Sequence, residues 1–270
     1  MHERLAIPFR LAAAAAALAF CASAGAAQIQ VTIENLVPAT GISFAPLHVG
    51  FGSGSFDSFN IGQAAGPEIV SVAELGGGSE WQAAFAAAEP NATRGTIGGA
   101  LLPGASSSAT FMVDATSNPF FTFAAMVLPS NDHFIGNDSP MQYRLFNAAG
   151  QLAITSIVQY AGDIWDAGSE TFDPAAAAFV VGSVATDRSA ENGVVGVDFA
   201  KLQTAFNGQE TAGGYVLNSA LTTGSEVYRI SFQAVPEPES LALMLPGLLA
   251  IGWVGRQRRK QSAGSALSPV

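Results

Sequence analysis

The chain has 270 residues, of which 49% are hydrophobic and 12% charged, with a formal net charge of −10 at pH 7. Two ends read as targeting segments. Between them, residues 28–234 hold five basic residues against eighteen acids, a net of −13, which repels nucleic acid and anionic lipid and favours divalent cations. The one cysteine, Cys21, lies in the first of those ends, so disulfide frameworks and thiolate chemistry are excluded from the remainder.

In chain order, residues 1–27 read as a secretory signal peptide. Arg4 and Arg10 supply a positive start, Leu11 to Phe20 an apolar stretch, and Ala24-Gly25-Ala26 a small-residue cleavage site. Cys21 raises a lipoprotein alternative, which the bulk of Phe20 opposes. Residues 28–234 then have the length of one domain that needs no disulfide staples.

Ile29, Val31 and Ile33 alternate with polar neighbours, which predicts a strand with one buried face. Pro67 fits the first position of a helix whose Ile69, Val72 and Ala73 share a face and which Gly76 ends. A second short helix is expected over "SEWQAAFAAAE", with Ser79 as its N-cap. From Gly104 the pattern turns to β. "SSATFMVDA" alternates, and "PFFTFAAMVLPS" is continuously apolar, as in a central strand buried on both faces. "MQYRLFNAAGQLAI" reads as two strands around Asn147–Gly150, and "SEVYRISFQAV" as a last strand by composition. Residues 205–225, polar and Gly-rich, read as a long loop. Short strands separated by turns predict an all-β sandwich or barrel, with one or two short helices in its loops.

Recognised catalytic motifs are missing. His48 and His133 are the histidines of residues 28–234, and no H-E-x-x-H, G-x-S-x-G, Walker or dinucleotide pattern occurs. "GFGSGS" at residues 50–55 lacks a following Lys and reads as a loop. Carboxylate pairs can hydrolyse glycosides, so spacing alone leaves a glycan hydrolase open. Trp81 and Trp165 are the tryptophans available to such a site. Two acidic stretches stand out: "PSNDHFIGND" with Asp132 and Asp138, and "DIWDAGSE" with Asp163, Asp166 and Glu170. Loops like these can converge on Ca²⁺, which takes about 6–8 oxygen ligands. Solvated acidic loops are the commoner case.

The far end carries Val235-Pro236-Glu237-Pro238, an apolar run over 241–255, and a cluster of Arg256, Arg258, Arg259 and Lys260. That order resembles a PEP-CTERM sorting signal over residues 235–260. The run is short for a membrane span, the basic cluster would hold residues 261–270 in the cytoplasm, and a simple tail anchor is the plainer alternative. The resemblance implies a Gram-negative bacterium and an exosortase that cuts near the Pro-Glu-Pro. It also implies a transient stay in the inner membrane before release or fixation at the cell envelope or extracellular matrix.

A second resemblance covers roughly residues 28–232. "FAPLHVGFGSGSFDSFNIGQAAGPEIVSVAE", "LLPGASSSATFMV", "MVLPSNDHFIGND" and "IWDAGSE" are similar, in order, to the spondin domain of F-spondin type. The resemblance implies a C2-like antiparallel β-sandwich with a bound Ca²⁺ whose protein ligands are Asp132, Asp166 and Glu170. Asp138, Asp163 and Asp173 match no ligand position and read as solvated acids. Trp165 reads as packing beneath the loop and placing Asp166, His133 as a loop residue, and Phe44, Phe56 and Phe59 as core. The expectation is a secreted, non-enzymatic calcium-binding module with an adhesion or matrix role toward an extracellular polysaccharide or surface protein. A purely structural matrix protein with incidental metal is the alternative.

Overall fold

Residues 26–236 are described by the computed structural model of the chain. Outside them lie most of the signal peptide, the sorting signal beyond Pro236 with its apolar run 241–255 and basic cluster 256–260, and the tail 261–270.

The first strand, β1 (Ala27–Asn35), is where the alternation places it: Ile29, Val31 and Ile33 are fully buried, while the residues between them are half-exposed. It is a central strand, paired antiparallel with β5 (Ser106–Val113) on one side and β12 (Glu226–Ala234) on the other. With β9 (Ser156–Tyr160) beyond β12, these form a four-stranded sheet in the order β5-β1-β12-β9.

The second sheet is built around the apolar run. β6 (Phe120–Leu128) is buried along its whole length except at Phe120. It lies between β3 (Leu47–Gly52) and β7 (His133–Gly136) in an antiparallel sheet of order β11-β10-β7-β6-β3-β4. Here β4 is Thr93–Ile97, β10 is Trp165–Asp166 and β11 is Gly196–Val197; the short β2 (Ser43–Phe44) and β8 (Tyr143–Arg144) also pair with β6. One face of β6, with Phe121, Phe123, Ala125 and Val127, joins Ile29, Val31, Ile33 and Phe232 in the core between the sheets. The fold is therefore an all-β antiparallel sandwich.

The continuous hydrophobicity of β6 has a second cause. Its other face is covered by the helix pair α1 (Pro67–Leu75) and α2 (Ser79–Ala88), through Ile69, Val72, Trp81 and Phe85 packed with Ala124 and Phe134. These helices thus form an outer layer. α1 starts at Pro67 and stops at Gly76, whose φ of 66° is open to a residue without Cβ and whose N–H returns to Val72. The N-cap of α2 is Gly78 rather than Ser79, and Ser79 Oγ donates to Glu80 instead. A Cβ at Gly78 would come within 2.1 Å of the His48 ring, which fixes a glycine, without a capping side chain, at the N-cap.

His48 is buried beneath that pair, between Thr96 Oγ1 at 3.0 Å and the Gly76 carbonyl at 3.2 Å. Burial lowers its pKa, so it is a neutral packing residue. Phe44, Phe56 and Phe59 are core residues, as expected. Of the two strands expected around Asn147–Gly150, the first forms as the short β8, paired with β6 rather than with a hairpin partner; the second is reduced to one bridge, Phe146 to Leu152, across a tight turn, and the amides of Leu145 and Phe146 bond Pro119. A third helix, α3 (Phe199–Ala205), precedes the long loop.

Candidate metal centre

The site forms where β6 turns into β7 and meets β10. Ser130 Oγ ties the turn by donating to the Val127 carbonyl at 2.6 Å and accepting from the His133 amide at 3.2 Å. Asp132 therefore closes the turn and His133 opens β7. Register sets Asp166 directly opposite His133, and Trp165 opposite Phe134. Trp165 is half-buried against Phe59, at 5.3 Å between ring centroids, and its indole N–H donates to the Gly136 carbonyl at 3.1 Å. Through these contacts it places Asp166, as the sequence predicts.

The loop after Asp166 wraps around the Asp132 carboxylate. Oδ2 of Asp132 accepts the amides of Ser169 at 2.8 Å and Glu170 at 3.0 Å. Oδ1 of Asp166 accepts the Gly168 amide at 2.8 Å. Gly168 has φ 63°, and a Cβ there would lie 2.6 Å from the backbone of Val194, so the turn requires glycine twice over.

Asp132, His133 and Asp166 each bring one potential ligand atom within 4.8 Å of the other two, and among the described residues they are the group of at least three such side chains that does so. Asp132 and His133 are buried, and Asp166 is half-buried. His133 Nδ1 lies 3.9 Å from Asp132 Oδ1, and Nε2 lies 3.8 Å from Asp166 Oδ2. Burial, reinforced by the charge of Asp166, raises the pKa of Asp132; the amides of Glu170 and Ser169 and the His133 ring oppose it only in part.

Glu170 reaches this centre through its backbone. Its side chain is buried, and Oε1 accepts from Asn131 Nδ2 at 2.9 Å. Burial pushes its carboxyl up to about 7, with Glu74 and Asp132 adding to the push and Asn131 and Arg188 opposing it. Arg188 is paired with Glu74 at 2.7 Å. Asn131 also clamps the backbone of Asp173 in both directions, at 3.0 and 3.2 Å, so one amide joins both loops.

Sequence reasoning missed two members of the neighbourhood. His133 is a buried strand residue, not a loop residue, because the β pattern resumes immediately after Asp132. Lys201, on α3, sets Nζ 3.6 Å from Asp166 Oδ2 and 3.0 Å from Asp198 Oδ2. No local pattern links residue 201 to residue 166; the docking of α3 does. The other acids stay outside. Asp163 is exposed and accepts the Tyr160 amide, Asp138 accepts the Ile61 amide, and exposed Asp173 bonds the Ala175 amide. Trp81 is fully buried and offers no platform for a sugar ring.

Comparison with known proteins assigns the chain's other end. Residues 234–260 match the PEP-CTERM protein-sorting motif. That motif marks the chain for exosortase-dependent export to the cell envelope or surface. No curated protein matches the chain. Among the described residues, no helix is long and apolar enough to cross a membrane.

Proposed function

We propose that the chain is a non-enzymatic, spondin-like module, exported through its PEP-CTERM signal, that binds a divalent cation between the Asp132 turn and the Asp166 loop. One observation carries this reading: two carboxylates are held against each other in a largely buried place, where an added positive charge relieves both. Calcium fits the oxygen donors of the two loops and is the ion that the spondin resemblance implies. Bound there, it would neutralise Asp132 and Asp166 and hold the loops together. Glu170 would stand behind it, or join it by releasing Asn131.

The Asp166 side chain is 14% exposed against 3% for Asp132, so the ion's open side faces out past Asp166. A carboxylate of an extracellular polysaccharide or surface protein could complete the coordination there, which gives the adhesion or matrix role a physical basis. The setting is the envelope or extracellular matrix of a Gram-negative bacterium, after a transient stay at the inner membrane.

Lys201 favours a second reading, a structural matrix protein in which metal is incidental, because its ammonium group already neutralises part of the acidic pair. Calorimetric titration of metal-stripped full chain with CaCl₂ and, separately, ZnCl₂ separates the two. One saturable site for either ion, absent from Asp166→Asn, supports the first; no binding heat with either ion at millimolar concentration supports the second.

A further inference from the structure

The two ring nitrogens of His133 are not equivalent. Nε2 lies 3.2 Å from the backbone carbonyl of Asp198, the residue that caps α3. A carbonyl oxygen only accepts, so Nε2 carries a proton and donates it, and in the neutral ring that leaves the lone pair on Nδ1. Nδ1 is buried without a hydrogen-bond partner among the described residues, in a side chain only 1% exposed. It faces Asp132 Oδ1, the oxygen left over once the Ser169 and Glu170 amides have taken Oδ2.

In that form Nδ1 and Asp132 Oδ1 face each other as two acceptors across 3.9 Å, both in buried side chains. That gap is too wide for a hydrogen bond. It suits an ion seated about 2.0–2.2 Å from each atom. An imidazole that binds metal through one nitrogen and donates its other N–H to a carbonyl is the usual arrangement of a histidine ligand, with the carbonyl fixing tautomer and ring plane.

We infer that His133 Nδ1 is a protein ligand beside Asp132, with Asp166, whose Oδ2 lies nearest Nε2, as the third member of the cluster, and that the centre takes a first-row transition divalent ion, such as Zn²⁺ or Co²⁺, in preference to Ca²⁺. The inference rests on the cation-binding reading above and narrows it. One neutral imidazole and two carboxylates balance a doubly charged ion. Imidazole nitrogen suits zinc and its neighbours, whereas calcium asks for a larger, all-oxygen shell. Lys201 at the outer lip would turn outward as the ion enters.

Metal-stripped full chain carrying His2→Gln, titrated separately with CoCl₂, ZnCl₂ and CaCl₂, tests this. Co²⁺ and Zn²⁺ are expected to bind about tenfold or more tightly than Ca²⁺, and His133→Gln to weaken Zn²⁺ about tenfold while changing Ca²⁺ less than about threefold. Zn²⁺ affinity unchanged in His133→Gln, or Ca²⁺ the tightest ion, overturns the inference and leaves the cation-binding reading standing. No binding of any of the three overturns both. Should His133→Gln not fold, ¹⁵N spectra of the histidine rings with and without Zn²⁺ decide. A shift at His133 Nδ1 with the Nε2 proton retained supports the assignment, and unshifted ring nitrogens overturn it.

Discussion

Two buried carboxylate systems in this molecule are built on opposite plans. Glu89, at the end of α2, sits in a cradle made by the loop after β3. Its Oε1 accepts the amides of Ser55 at 2.7 Å and Phe56 at 2.8 Å, and Oε2 accepts the Ser53 amide in a short bond. Burial alone would raise its pKa, but these three backbone bonds win and lower it. At Asp132 and Glu170 burial outweighs the hydrogen bonds they accept, neighbouring acids add to it, and the pKa rises. A carboxylate surrounded by N–H groups holds the fold together by itself. One surrounded by carboxylates leaves the fold short of a positive charge. The glycine-rich "GFGSGS" belongs to the first plan: a Cβ at Gly52 would meet the Glu89 carboxylate at 2.4 Å.

The sharpest way to break this contrast is to remove one carboxylate from each system. Glu89→Ala strands three amides and is expected to cost about 3 kcal/mol in urea unfolding. If it costs no more than an exposed alanine substitution, the cradle is not what secures the loop.

Gly168→Ala attacks the framework of the second system without touching an acid. The left-handed backbone and the Val194 backbone 2.6 Å away should make it cost about 2 kcal/mol and weaken cation binding together. Loss of stability with cation affinity intact would separate the loop's turn from its proposed role.

The pH dependence of the two systems should run in opposite directions in metal-free protein. Glu89 has a folded pKa below its unfolded value, so its contribution is present above the usual carboxylate range and is lost as pH falls through the folded value. Glu170 has a folded pKa raised to about 7, so its contribution is present below about pH 4.5 and is lost as pH rises toward 7. Glu170→Gln is therefore expected to stabilise metal-free protein by about 1 kcal/mol at pH 8 and to have little effect at pH 4. Urea unfolding at the two pH values measures it; destabilisation at pH 8 would contradict the account of Glu170. The smallest effect is expected at Lys201. Lys201→Ala removes a competing ammonium 3.6 Å from Asp166 and should raise cation affinity about threefold in calorimetry, with little change in stability.

What could be read in advance followed a physical boundary. β1, β6, β12 and α1 are legible because period, continuous hydrophobicity and the Pro67 and Gly76 signals are local and agree with the packed structure. Asp132 and Asp166 could be paired before the fold was known through the two acidic motifs, and the β7–β10 register brings them together. The outer helical layer was not legible as a layer, since amphipathic helices do not state which sheet face they cover. The Glu89 cradle was equally hidden, because its donors lie 33 to 36 residues earlier and meet it only after the sheet forms. The same holds for His133, whose meaning depends on the Asp198 carbonyl 65 residues away.

The measurement closest to the central claim is the melting temperature of metal-stripped full chain, alone and with a divalent cation at about a hundred times its Kd, beside the Asp132→Asn, Asp166→Asn double variant. The cation should raise the melting temperature of the unaltered chain by about 5–10 °C. The double variant should show almost no shift and should itself match or exceed the metal-free parent, because its acidic pair is gone. An unaltered chain that melts at the same temperature with and without Ca²⁺ or Zn²⁺ would contradict that claim.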